Sequence, residues 1–177
     1  MNHISFKKIL VPVDFSATSQ KAFHHVKWLA WKFSSEVTLV HIEEQLSFAD
    51  VLPPFPVQNE DYRYKYKKRV LEGLEKYKEE LLETGINTVS IQYLEGNITR
   101  AIVKYAEDEK MDIVVMGTHG SKGLTELFIG SNAFKIVNFI DLPVLTINDK
   151  AAFSPYKNIV TTLDDSKYSR AKFPYIA

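Results

Sequence analysis

The residues best placed to do chemistry in this chain are glycines. Four of its seven, Gly117, Gly120, Gly123 and Gly130, fall within fourteen consecutive positions, and Gly130 is followed by Ser131 and Asn132. They come directly after Asp112-Ile113-Val114-Val115-Met116, an apolar run that reads as a buried strand. A glycine-rich loop that leaves a strand and ends at a helix start can wrap its backbone N–H groups around phosphate. The spacing is G-x2-G-x9-G-S. It lacks the G-x4-G-K-[ST] arrangement, in which a lysine and a magnesium-binding hydroxyl serve fast phosphoryl transfer. The chemistry to expect is phosphate binding, with hydrolysis slow or absent and no catalytic residue assigned.

Other reactive side chains come off worse. The five histidines, His3, His24, His25, His41 and His119, show no spacing that puts two ligands on one helix face, so no metal site is expected. His41, at the end of an apolar run, reads as a hydrogen-bonded structural residue. Tyr62, Tyr64 and Tyr66 interleave with Arg63, Lys65, Lys67, Lys68 and Arg69, as in a nucleic-acid strip, but glutamates downstream balance them. A solvated helix face is the better reading. The chain has no cysteine, which removes disulfides, thiolate metal sites and cysteine nucleophiles and suits a cytoplasmic setting. Lys plus Arg and Asp plus Glu both number 22, so the net charge is zero. Neither nucleic acid nor an anionic membrane is the expected partner.

These groups need a frame, and the chain alternates strand and helix. Lys8–Val13 is a short apolar run closed by Asp14. Ser16 or Thr18 can cap a helix from Ser19 to Phe33, where Ala22, Phe23, Val26, Leu29, Ala30 and Phe33 recur at helical spacing. Val37–Ile42 is a second buried strand. Pro53, Pro54 and Pro56 exclude regular structure there, which makes residues 44–59 a loop or flap. Residues 61–84 form a charged helix that turns Val70, Leu71, Leu74, Tyr77, Leu81 and Leu82 inward and ends at Gly85. Thr88–Leu94 alternates as a strand near a sheet edge does. Asn97 caps a third helix through Glu109, Asp112–Met116 is the fourth strand, residues 131–139 the fourth helix and Pro143–Ile147 the fifth strand. Continuous apolar strands separated by helices form a parallel sheet covered on both faces. Ligands bind such sheets beyond the carboxyl ends of the strands, where the strand order switches. Asp14 and Gly117 end strands one and four, and this topology can bring them to one crevice.

Five segments in this order and spacing resemble signatures of the universal stress protein family, in its ATP-binding branch. They are KKILVPVDFS (Lys7–Ser16), LVHI (Leu39–Ile42), GNITRAI (Gly96–Ile102), DIVVMGTHG (Asp112–Gly120) and LPVLTI (Leu142–Ile147). The resemblance implies a Rossmann-like, doubly wound α/β fold, a five-stranded parallel sheet in the order 3-2-1-4-5 with helices on both faces. It implies ATP, AMP or ADP in the crevice, with or without Mg²⁺, and a homodimer formed through the last strand. Carried over position by position, it puts Pro12, Val13, Asp14 and Ile42 on the adenine and ribose side. Asp14 would accept from ribose hydroxyls, and Val13 and Ile42 would offer backbone groups. Met116 and Gly117 would lie beneath the ribose. Gly117, His119 and Gly120 would line the phosphates, glycine letting the backbone come close. Gly130, Ser131 and Asn132 would complete the cradle at a helix start. The implied function is a stress-response regulator whose state is set by adenine nucleotide.

Two alternatives stand beside it. One is an interaction module with an empty crevice. The other is a nucleotidyl-transfer or ATP-pyrophosphatase relative, but that needs an S-G-G-x-D loop or an H-x-G-H pair after the first strand. This chain has Asp14-Phe15-Ser16-Ala17-Thr18-Ser19 there. Finally, Lys157–Ser166 can be laid on Lys7–Ser16 at an ungapped offset of 150, with Lys157, Ile159, Asp164 and Ser166 identical. The expected organisation is a nucleotide-binding domain over 1–150, then a linker and the first strand and partial helix of a truncated second repeat over 151–177. In a complete tandem chain the two repeats could pair with each other in place of a homodimer.

Overall fold

Strand and helix alternate through the described residues, which are 5–44, 60–118, 130–148, 150–156 and 160 of the computed structural model. The elements are β1 (Lys8–Pro12), α1 (Ala17–Phe33), β2 (Glu36–Glu43), α2 (Glu60–Glu83), β3 (Val89–Glu95), α3 (Ile98–Asp108), β4 (Ile113–Gly117), α4 (Ser131–Phe139) and β5 (Val144–Ile147). The five strands form one parallel sheet in the order β3-β2-β1-β4-β5. This is the expected topology. The order switches between β1 and β4.

Alternation within the apolar strands gives each face its own core. Ile9, Val11 and Val13 of the first strand and its extension join Val37, Leu39, Ile113 and Val115 under α1 and α2. Leu10, Val40, Ile42, Val114 and Met116 join Ile102, Ala106, Ala133 and Ile136 under α3 and α4. Strands buried on both faces need no polar positions, which is why they read as continuous apolar runs. On its face of the sheet α1 lies across β4, β1 and β5, while α2 covers β3 and β2.

Local signals set the boundaries. Ser16 caps α1, its side chain accepting the Ser19 N–H at 3.2 Å, so the helix starts at Ala17, ahead of the expected Ser19. Asn97 caps α3 in the same way through the Arg100 N–H. Gly85 ends α2 at φ +87°, a left-handed conformation that suits glycine. Leu82 departs from the reading: it is 41% exposed while Leu81 is fully buried. Consecutive helical residues point about 100° apart, so only one of the two can face the sheet. The N-cap of α4 is Gly130, with no side-chain capping bond, and Ser131 is already helical.

The chain after β5 does not leave the domain at once. Ala151 packs against the core beneath α1. Phe153 meets His25 edge-on at 5.1 Å between ring centroids, and Tyr156 reaches both His25 and Trp28. Residues 157–177, Val160 apart, lie outside the described residues, as does the Pro53–Pro56 segment.

Candidate functional site

The crevice between β1 and β4 is opened by a proline. The Lys8 C=O accepts the Asp112 N–H at 2.9 Å, so the even-numbered residues of β1 face β4. Pro12 is the third of these and has no N–H to give. The β1–β4 ladder stops at Leu10–Val114, whereas β1 stays paired with β2 up to Pro12–Val40. The two strand ends therefore part on the β4 side. Pro12, Val13 and Asp14 stand on one lip, Met116 and Gly117 on the other.

The β4 lip is held by backbone. Thr118 donates its N–H to the Ile147 C=O at 2.8 Å, and its own C=O accepts the Gly130 N–H at 2.8 Å. That second bond closes the neck of the glycine loop and brings Gly130, Ser131 and Asn132 beside the end of β4. Residues 119–129, including His119, Gly120, Lys122 and Gly123, lie outside the described residues. Gly117 is tighter than phosphate approach alone requires. A Cβ there would stand 2.8 Å from Thr18 Oγ1 and 2.9 Å from the Thr18 carbonyl carbon. Glycine at this position is needed to seat the first turn of α1, with or without a ligand. Ser131 and Asn132 are the first residues of α4, where helix N–H groups are free and the dipole favours an anion.

The β1 lip is held by side chains reaching from α2. Asp14 is exposed at the end of β1, and its carboxylate accepts the Ser16 N–H at 3.0 Å in a tight turn. Val13 is buried and already committed: its N–H goes to the Val40 C=O at 2.8 Å and its C=O accepts from His41 Nδ1 at 2.7 Å. Its N–H is thus engaged within the sheet. A carbonyl only accepts, so His41 carries its proton on Nδ1, and Nε2 accepts from the Tyr66 hydroxyl of α2 at 3.1 Å. Burial, then Glu43 and Tyr62, pushes the Tyr66 phenol above its usual range, so that proton stays available. Burial, a hydrogen bond to Glu43 and that carboxylate's charge raise Tyr93 further, and its ring stacks on His41 at 5.8 Å.

Phe15 follows Asp14 at φ 61°, a left-handed conformation unusual for an aromatic residue. Its ring packs against Tyr77 and His41 and lies over Gly73 of α2, where a Cβ would come within 2.8 Å of it. Gly73, Tyr66 and the role of His41 were beyond sequence reasoning about the site. A lone glycine inside a helical pattern is a signal for close packing, but it does not say against what.

Ile42 completes the lip. The Glu36 N–H bonds the Lys7 C=O and the Val40 C=O accepts from Val13, so even-numbered residues of β2 face β1. Ile42 is the next of these, beyond the end of β1. Its N–H and C=O point toward the crevice, and its side chain joins the core under α3 and α4. A separate open cavity of about 210 Å³ lies past the ends of β2 and β3, lined by Glu43, Glu60, Arg63, Tyr64, Lys67 and Glu95. Arg63 already ties Glu95 to itself there at 3.1 Å.

Comparison with known proteins agrees with this architecture. Residues 5–148 match the model of the universal stress protein family. Universal stress protein MJ0577 of Methanocaldococcus jannaschii is 31% identical over 159 residues, covering 83% of this chain and 98% of its own. YxiE of Bacillus subtilis, a universal stress protein, is 28% identical over 149 residues, 80% of this chain and 99% of its own. The solved structure of MJ0577 superposes with a TM-score of 0.72 at 32% identity, over 84% of this chain and all of that one. An Arabidopsis thaliana universal stress protein solved with AMP bound shares the fold, with a TM-score of 0.57 at 20% identity over 80% of this chain and 91% of its own. Among the described residues no helix is long and apolar enough to cross a membrane. The chain belongs to the universal stress protein family.

Proposed function

We propose that this stress-response protein binds an adenine nucleotide, ATP or AMP, in the crevice between β1 and β4, and that occupancy sets its state with hydrolysis slow or absent. One observation carries the reading. Three groups at the carboxyl ends of the strands support it: the exposed Asp14 carboxylate after β1, the Ile42 N–H and C=O on β2, and the helix start at Gly130 to Asn132, tied to the end of β4 by the Gly130–Thr118 bond. These match the three parts of a nucleotide. The Ile42 N–H and C=O suit the acceptor N1 and donor N6 of adenine, whereas guanine presents the reverse pattern. Asp14 would accept from the ribose, and Gly117, His119, Gly120 and the α4 start would receive phosphate, with or without Mg²⁺. AMP in the Arabidopsis relative, and cAMP in another solved universal stress protein, are ligands of the same class.

The test is calorimetric titration of nucleotide-stripped protein with ATP, alongside Asp14→Asn. Asparagine keeps an acceptor for the Ser16 N–H, so the turn survives while the carboxylate is lost. The expected result is saturable binding, weakened about tenfold by the substitution, or roughly 1.4 kcal/mol. Folded, stripped protein that does not bind would hand the crevice to the interaction-module reading. Turnover above about 1 s⁻¹, within the ordinary enzyme range, would sink the non-enzymatic part.

Pairing of two copies through β5 belongs to the same proposal. β5 is the last strand of the sheet, and Phe134, Val137 and Phe139 of α4 are exposed, Phe134 at 60% and Phe139 at 68%. Large exposed apolar side chains grouped on one element mark an interaction surface. Sedimentation at micromolar concentration should give twice the mass of 20.3 kDa, and a monomer would remove this part.

A further inference from the structure

The geometry points to His41 as the residue that keeps the Ile42 N–H open for ligand, with Tyr66 of α2 holding the imidazole in place through its second ring nitrogen. The adenine half of this inference rests on the function proposed above; the backbone half does not.

Along the β1 side of β2 the ladder runs by twos. The Glu36 N–H goes to Lys7, and the Val40 C=O accepts from Val13. The next step of a parallel ladder takes the Ile42 N–H to the Val13 C=O. That bond is not made. The Val13 C=O instead accepts from His41 Nδ1 at 2.7 Å, which draws it toward the α2 side of the sheet, and the Ile42 N–H has no partner among the described residues. His41 is 6% exposed and sits among Phe15, Tyr66 and Tyr93, so its imidazole has little room to turn away.

The Val13 carbonyl, which only accepts, puts the imidazole proton on Nδ1. The Tyr66 hydroxyl, 3.1 Å from Nε2, supports that tautomer by donating to the other ring nitrogen. A side chain from α2 thus helps to keep His41 on the Val13 carbonyl. Neither residue touches ligand in this account, so both are positioning residues. A buried donor left unpaired is costly unless something supplies an acceptor, and a nucleobase ring nitrogen is such an acceptor.

Two readouts test this. The first is amide hydrogen exchange in ligand-free protein. The Ile42 amide should exchange at least tenfold faster than the Val40 amide, and His41→Leu should slow it by restoring the Ile42–Val13 bond. His41→Gln, which keeps a side-chain N–H donor, should preserve fast exchange. An Ile42 amide protected like Val40 in the unaltered protein would overturn the inference, whatever the nucleotide result. The second readout is affinity for ATP against ITP, whose base carries N1–H. His41→Leu should weaken ATP about tenfold and bring the two nucleotides within threefold of each other, and Tyr66→Phe should do the same to a lesser degree. A histidine that only stabilises the fold would lower the melting temperature and leave the ATP/ITP ratio unchanged, which would refute the role. If His41→Leu fails to fold, Tyr66→Phe and His41→Gln carry both readouts. Fast Ile42 exchange, slowed in His41→Leu, in a protein that binds no nucleotide would uphold the backbone role and reject only the adenine reading.

Discussion

The two lips of the crevice are built by opposite means. The β4 lip is shaped by what is missing: Gly117 has no Cβ because Thr18 occupies the space, and Thr118 is fixed by backbone bonds to Ile147 and Gly130. The β1 lip is shaped by what has been added. His41 and Tyr66 grip the carbonyl before Asp14, and Gly73 and Tyr77 receive the Phe15 ring after it. An end held by packing fails when atoms are introduced, and it fails as loss of stability. An end held by side-chain hydrogen bonds fails when donors are removed, and it can fail in function while the fold persists.

Gly117→Ala breaks the comparison most sharply. The new methyl must displace α1's first turn, at a cost of about 2 kcal/mol from overpacking. Urea denaturation measures it. Adding Thr18→Ala removes the contact with Oγ1 but leaves the Cβ and the backbone carbon, both at 2.9 Å, so the double variant should recover only part of the loss. Full recovery would mean that the hydroxyl alone sets the constraint. Substituting Gly117 is therefore a poor probe of ligand binding, because it changes stability and affinity together.

A smaller effect separates two kinds of buried histidine. His41 has both ring nitrogens bonded, whereas His25, 4% exposed, bonds Tyr156 through Nδ1 and leaves Nε2 without a partner among the described residues. The groups around it are Phe153 and Tyr156 of the segment after β5 and, on its own helix, Trp28 and His24. Burial, and then the neighbouring His24, holds the His25 imidazole below its ordinary value of 6.5. The unfolded chain therefore takes up the proton first as pH falls. The contribution of neutral His25 is complete above about pH 6.5 and is lost as pH drops from there through the lowered value. Denaturation midpoints at pH 7.5 and 5 should differ, and His25→Phe should reduce the difference. An unchanged difference would place the pH dependence elsewhere.

Much of this was legible in the chain. Apolar runs separated by amphipathic segments dictate the parallel sheet, because strands buried on both faces are apolar almost throughout, Thr38 and His41 of β2 being buried polar exceptions. Caps at Ser16 and Asn97 were visible because one oxygen answers one N–H a few residues on. The reason for the crevice was present but silent. That Pro12 faces β4 rather than β2 depends on ladder parity, which residue types do not encode. His41 was recognisable as a bonded histidine but not as a competitor for a carbonyl, since its partners lie 28 and 25 residues away. Phe15 gave no sign at all. A left-handed aromatic is forced by tertiary contacts, and propensity argues against it.

The path of the chain after β5 has a topological consequence. From the carboxyl end of β5 it descends the outer side of α1, past His25 at Phe153 and on to Trp28 at Tyr156. A sixth parallel strand outside β5 could follow a right-handed crossover only by passing over α3 and α4, as the β4–β5 connection does. The observed route takes the other face, and a strand laid down from it would be joined with the wrong hand.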